Sequence, residues 1–74
     1  MMSYGDVYDL LAKYGTRAMV EAFADGWSRF PESYAAIRLA NDVEARSKFY
    51  MGRDDDLSLR LLEASTTIRN RAWA

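Results

Sequence analysis

The stretch that decides the fold is residues 50–62, YMGRDDDLSLRLL, in the second half of the chain. Gly52 is a typical residue at the end of a helix, and the aspartates at 54–56 are typical of the start of one. A connection this short places two consecutive helices side by side and antiparallel. The stretch therefore predicts a helical hairpin, although the alternating apolar residues at 57–61 also fit a short strand.

The segments on both sides of this turn carry apolar residues at helical spacing. Upstream, Pro31 suits the first turn of a helix that stops at Gly52, and Glu32 lies beside the positive end of its dipole. Small residues in the inner face of this helix allow a second helix to approach closely. We expect that face to consist of Tyr34, Ile37, Ala40, Val43, Ser47 and Tyr50. The downstream helix is expected to bury Leu57, Leu61, Ala64 and Ile68 on one face, with Leu62 beside them.

The first segment of the chain is also predicted to be a helix. Ser3 and Asp6 have the spacing of a capping box, and Gly15 is a candidate for the residue after the helix end. Asp6, Asp9 and Lys13 form a narrow polar stripe, while most of the remaining girth is bulky and apolar. Such a helix is expected to be buried on more than one side, and a single small domain has difficulty providing two surfaces for it to pack against.

A second helix is expected between the first segment and Pro31. Thr16 is its candidate N-cap, and Gly26 either ends it early or costs about 1 kcal/mol inside it. Its apolar face is expected to include Met19, Val20, Phe23, Trp27 and Phe30. We therefore expect residues 1–74 to form a single helical domain. The predicted fold is an all-α bundle of three to four short antiparallel helices, which dimerisation can complete.

The composition indicates an interaction protein. Half of the 74 residues are apolar or aromatic, including 2 Trp, 5 Tyr and 3 Phe. A chain of this length buries only about 60% of the surface that its unfolded form exposes. Part of the apolar set is therefore expected at the surface, where large patches mark interaction sites. The alternative is that any small protein shows some apolar surface.

Several kinds of chemistry lack the residues that they need. The chain has no cysteine and no histidine, so thiolates and the usual imidazole base and metal ligand are missing. A calcium loop starting at Asp54 would need a glycine where Leu59 stands and a glutamate where Ser65 stands. We expect no catalytic, cofactor or metal site and no small-molecule substrate, and therefore not an enzyme. The absence of cysteine fits a reducing cytoplasm, and no signal peptide or membrane-spanning run is visible.

Nucleic-acid binding is the second interpretation, and the charges disfavour it. The net charge is −1, and in a helix-turn-helix Glu32 would occupy a position that requires a buried apolar side chain. Only Arg69 and Arg71 lack a carboxylate nearby in the sequence, whereas DNA-binding proteins often make about 6–10 phosphate contacts. The other cations are expected in helical ion pairs: Asp9–Lys13, Asp25–Arg29, Asp42–Arg46, Glu44–Lys48, Asp56–Arg60, Arg17–Glu21 and Arg38–Asp42.

Two surfaces are candidates for contact with a protein partner. One is the outer side of the first helix, with Tyr4 and Tyr8, and the other is the C-terminal turn with Arg69, Arg71 and Trp73. Arginine and large aromatic residues are enriched at binding hot spots. We expect a small inhibitor or adaptor that binds a protein target or itself as a homodimer, a class that includes proteins encoded by phages and mobile elements. The alternatives are a nucleic-acid-binding accessory factor and a structural component of a larger assembly.

Overall fold

The computed structural model describes residues 2–31 and 34–72, and over these residues it contains helices, turns and no strand. The helices are α1 (Tyr4–Tyr14), α2 (Arg17–Gly26), α3 (Tyr34–Tyr50) and α4 (Asp55–Ala72), and a 3₁₀ turn, Trp27–Arg29, follows α2. This arrangement confirms the expected all-α bundle. The alternative of a strand at 57–61 is wrong, because these residues lie within α4. Within residues 2–31 and 34–72, the helices contain no apolar stretch of the length that a membrane-spanning segment needs.

The starts of α1 and α2 are capped as the sequence predicted. Ser3 Oγ accepts a hydrogen bond from the Asp6 backbone N–H at 3.2 Å, and the Asp6 carboxylate accepts one from the Ser3 N–H at 3.3 Å. Thr16 Oγ1 accepts a hydrogen bond from the Met19 N–H at 3.2 Å. Each of these bonds satisfies a backbone donor that has no partner within its own helix.

Gly15 ends α1, but its role differs from the one expected. Its backbone is extended, with φ −92°, whereas a C′ glycine usually adopts the left-handed region. A Cβ atom at this position would lie 2.8 Å from the Leu11 carbonyl oxygen. The glycine is therefore required for space and not for a positive φ.

Gly26 ends α2, which is one of the two outcomes that the sequence left open. The ring of Phe30 folds back against it, and a Cβ atom on Gly26 would lie 2.5 Å from the nearest ring carbon. Phe30 is almost fully buried, next to the rings of Phe23 and Trp27. The missing side chain at Gly26 thus makes room for an aromatic core.

The turn between α3 and α4 has the expected design. Gly52 has a positive φ of 81°, a conformation that glycine adopts without strain. Its N–H donates to the Asp55 carboxylate at 2.8 Å, while the Leu57 N–H donates to Asp54 Oδ1 at 3.1 Å. Asp54 is therefore the N-cap of α4, and Asp55 closes the turn.

Helices α3 and α4 form the most extensive contact in the bundle. The Ser58 hydroxyl donates to the Ser47 carbonyl at 2.8 Å across this interface, which shows how closely the two backbones approach. Small residues in both helices make that approach possible. The buried apolar core is Val7, Leu10, Leu11, Phe23, Phe30, Ala36, Leu39, Ala40, Val43, Leu57, Leu61, Ala64, Ile68 and Ala72.

The expected inner face of α3 is correct at its centre and wrong at its start. Ala40 and Val43 are buried, but Tyr34 is 85% exposed, and Leu39 is buried although it was not expected to be. Three steps of three residues separate Tyr34 from Val43. Each step falls about 60° short of a full helical turn, so the two side chains end on opposite sides.

Candidate functional site

A groove opens where the start of α1, the 3₁₀ turn and the end of α4 meet. Its volume is about 430 Å³. Tyr4 from α1, Trp27 from the 3₁₀ turn and Arg71 from α4 form much of its wall. The complete lining is Met2, Ser3, Tyr4, Trp27, Thr67, Asn70 and Arg71. We call this site the N/C groove, because it joins elements from both ends of the chain.

Tyr4 connects the groove to the core. Its ring stacks on Phe23, with 4.9 Å between ring centroids, and contacts Trp27 edge-on at 5.2 Å. Tyr8 lies one helical turn further along, with its ring 6.2 Å from that of Tyr4. Phe23 is fully buried, whereas Tyr4 and Tyr8 remain 39% and 36% exposed. The core thus holds the Tyr4 ring in place, the Tyr8 ring stacks on Tyr4, and part of each ring faces solvent.

Arg71 attaches the end of α4 to the 3₁₀ turn. Its guanidinium carbon lies 4.4 Å from the centroid of the Trp27 ring, and its Nε donates to the Trp27 carbonyl at 3.3 Å. A cation over an aromatic ring contributes about 0.5–2 kcal/mol, depending on how much water is excluded. Arg71 therefore has a tertiary role in addition to its favourable position at the negative end of the α4 dipole.

Arg69 lies away from the N/C groove and contacts α3. Its guanidinium donates to the Asn41 side-chain carbonyl at 2.8 Å and lies 3.5 Å from a Glu44 carboxylate oxygen. The sequence correctly indicated that Arg69 and Arg71 point in different directions, about 200° apart on a helix. It could not show that both have partners, because those partners are distant in the sequence.

Among the predicted site residues, the structure therefore brings Tyr4, Tyr8 and Arg71 to one end of the bundle and separates Arg69 from them. The fifth residue, Trp73, lies outside the described residues, as does Glu32, which bears on the helix-turn-helix interpretation. Within the groove, Ser3 Oγ is used for capping, and the Thr67 hydroxyl donates to the Glu63 carbonyl. Its walls thus offer aromatic surface and a cation to a binding partner.

A second cluster, missed by the sequence reasoning, lies near the C-terminal ends of α1 and α3. The Arg46 and Arg53 guanidinium carbons lie 5.0 and 4.6 Å from the centroid of the Phe49 ring. Arg46 Nε also donates to the Tyr14 carbonyl at 2.9 Å, which attaches α1 to α3. We call this group the basic cluster; it consists of Lys13, Tyr14, Arg46, Phe49, Tyr50 and Arg53.

Most of the expected helical ion pairs do not form, and Lys13 and Arg46 of the basic cluster lie over aromatic rings instead. Of the seven pairs expected from the sequence, all of them among the described residues, only Arg17–Glu21, at 3.0 Å, and Glu44–Lys48, at 3.9 Å, lie within ion-pair distance. The expectation for Asp9–Lys13, Asp42–Arg46, Asp56–Arg60, Asp25–Arg29 and Arg38–Asp42 is wrong. Exposed pairs contribute little, so aromatic rings and backbone carbonyls can compete for the same cations. Arg29, for example, donates to the Asp25 backbone carbonyl.

Apolar side chains are also exposed on α4 and in the turn before it. Leu59 is 64% exposed, Leu62 41% and Met51 65%. From the sequence, we expected the exposed apolar surface on α1 and at the C-terminal turn, expected Leu62 beside the buried face of α4, and did not single out Leu59 or Met51. The signal was present, because Leu59 and Leu62 lie off the stripe of α4 that faces the core.

Comparison with known proteins gives no relative from which a function could be inferred. No protein-family model matches the chain, and neither a curated protein nor a solved structure shows significant similarity.

Proposed function

We propose that this chain is a non-enzymatic protein-interaction module, an inhibitor or adaptor that binds a protein target through the N/C groove. The observation that carries the proposal is the row of rings formed by Tyr8, Tyr4 and Trp27, with Arg71 on the last ring. Aromatic residues and arginine are over-represented among the residues that dominate binding energy. We keep the cytoplasm as the proposed location, because the chain lacks cysteine.

The geometry favours a protein ligand because the rings are held before binding. Tyr4 is fixed between Phe23 and Trp27, so little side-chain freedom is lost when a partner covers it. The groove is also bounded by elements that the rest of the bundle holds in place. A side chain or a helix end of the target can enter a site of this size.

Site-specific photocrosslinking in cells that produce the protein tests the proposal. Benzoylphenylalanine at position 8 replaces Tyr8 with a ring beside the groove. The control is the same replacement at Tyr34, which is far more exposed at 85% and lies on another helix. We expect a discrete protein adduct from position 8 and none from position 34. No adduct at position 8, or equal labelling from both positions, would refute the proposal.

The basic cluster favours a second candidate, a nucleic-acid-binding accessory factor. Lys13, Arg46 and Arg53 have no carboxylate within ion-pair distance among the described residues, and exposed Phe49 lies between two of them. Cations beside aromatic rings are typical of surfaces that bind single strands. Three phosphate contacts would give a salt slope of about −2, or roughly a 100-fold loss of affinity per tenfold increase in salt. Fluorescence anisotropy with a short labelled oligonucleotide at two salt concentrations measures this slope, and absence of binding at low salt removes this candidate.

A further inference from the structure

Helix α4 carries two rows of side chains with the same spacing, one buried and one exposed. The buried row is Leu57, Leu61, Ala64 and Ile68. The second row, which we call the α4 seam, is Asp55, Leu59, Leu62, Thr66 and Arg69. Successive members of the seam are four, three, four and three residues apart, which is the heptad spacing of helices that pair with another helix. Its central members, Leu59, Leu62 and Thr66, are exposed.

The charges of the seam specify the direction of a pairing helix. Asp55 lies in the first turn of α4 and Arg69 in the last, each seven residues from Leu62. In an antiparallel pair of identical α4 helices related by a twofold axis at Leu62, Asp55 of each copy faces Arg69 of the other. Leu59 then faces the region of Thr66, and the two helix dipoles oppose each other favourably. A parallel pair would instead bring like charges together at both ends.

Charged side chains border the seam on the α3 side. Glu44 lies 3.5 Å from Arg69 and 3.9 Å from Lys48, measured between charged atoms. The bond between Ser58 and Ser47 sets the antiparallel register that places Glu44 alongside the middle of α4. An apolar row with charged borders is the pattern that fixes partner and orientation in helix pairs. A helix paired with this row would cover Leu59 and Leu62, which the core of a single chain leaves exposed.

We propose that the α4 seam binds a second copy of this chain and forms an antiparallel, twofold-symmetric homodimer. The seam runs from Asp55 to Arg69 of α4, about 21 Å along the helix axis. A standard interface buries about 800 Å² per partner, roughly a sixth of the 4781 Å² surface of this chain. Interfaces of that size have dissociation constants from micromolar to picomolar, and we expect this dimer at the weak, micromolar end because only two members of the seam, Leu59 and Leu62, are apolar. This surface is separate from the N/C groove, and the inference goes beyond target binding there.

Sedimentation of the full chain over a wide concentration range gives the first test. We expect a monomer–dimer equilibrium that does not extend to larger species. Leu59→Lys should weaken association at least tenfold, because it places a cation in the apolar centre of the seam. The matched control is Phe49→Lys, which changes an exposed apolar residue in the basic cluster and should leave the dissociation constant unchanged. A wild-type chain that stays monomeric at millimolar concentration, or equal effects of the two variants, overturns the proposal.

Cysteine crosslinking tests the twofold axis and does not depend on the stability of Leu59→Lys. The chain has no cysteine of its own, so each introduced thiol is unique. Leu62→Cys should form a disulfide-linked dimer rapidly, since residue 62 faces itself across the axis. Leu59→Cys should crosslink slowly alone and rapidly when mixed with Thr66→Cys. Crosslinking of Leu62→Cys that is no faster than that of Phe49→Cys refutes the antiparallel seam.

The two proposals fail separately in these experiments. Loss of the position-8 adduct with an intact dimer removes target binding at the N/C groove and keeps the seam. A monomeric chain that still gives a discrete adduct from position 8 removes the seam and keeps the groove.

Discussion

Gly26→Ala tests whether Phe30 needs the space beside Gly26. The new Cβ atom would lie 2.5, 3.2 and 3.3 Å from three carbons of the Phe30 ring. The ring is only 1% exposed and contacts the rings of Phe23 and Trp27, so it cannot swing into solvent. Overpacking of this kind lowers the free energy of unfolding by about 1–3 kcal/mol. Replacing glycine with alanine raises it by about 0.4–1 kcal/mol, because the unfolded chain has less conformational entropy. We expect a net loss of about 1–2 kcal/mol.

Urea denaturation followed by circular dichroism measures this loss, and Gly5→Ala is the matched control. Gly5 lies in α1, and a Cβ atom there would meet no neighbouring group within 4 Å, so alanine should stabilise the protein by about 0.5–1 kcal/mol. The two substitutions therefore have opposite expected signs. In a domain of this size, 1 kcal/mol shifts the melting temperature by about 4–8 °C, which a thermal scan resolves. A Gly26→Ala protein as stable as the wild type would refute the packing argument.

Three further predictions concern the N-cap of α4 and two contacts between helices or turns. Asp54→Ala should lower the free energy of unfolding by about 1 kcal/mol, because it removes the N-cap hydrogen bond from the Leu57 N–H. Asp56→Ala is the control, since it removes only an interaction with the helix dipole of about 0.3–1 kcal/mol. Equal losses for the two variants in urea denaturation would contradict the assignment of Asp54 as the N-cap. Ser58→Ala should cost about 0.5–1.5 kcal/mol by removing the bond to Ser47, and an unchanged unfolding midpoint would show that the bond contributes nothing. Arg71→Met should lower stability by about 0.5–2 kcal/mol and change tryptophan fluorescence, because the cation leaves the Trp27 ring; a spectrum identical to that of the wild type would argue against the contact.

The sequence predicted the features of the fold that depend on local physical chemistry. The capping box of Ser3 and Asp6, the N-cap Thr16 and the stop at Gly52 were predicted because each involves residues within one turn of one another. Tyr34 was predicted to lie in the inner face of α3 but is exposed. The prediction extended that face from Val43 back to Tyr34 in steps of three residues, and each such step rotates further away from the core.

The candidate site was only partly predictable. Tyr4 and Arg71 were both identified from the sequence, but as parts of two separate surfaces, and Trp27, which lies between them in the groove, was assigned to the core. The basic cluster was missed because exposed ion pairs are weak, and the sequence does not show which aromatic rings compete for a cation. Contacts such as that between Arg46 and Tyr14 arise only when the helices pack.

The short turn at Gly52 also has a consequence for the order of folding events. It joins the two helices that make the most extensive contact, so their association closes only a small loop. Chains dominated by such local contacts fold in microseconds to milliseconds. We expect the α3–α4 hairpin to form in the transition state and the N-terminal helices to dock afterwards. The N/C groove would then be completed last, because its walls come from opposite ends of the polypeptide.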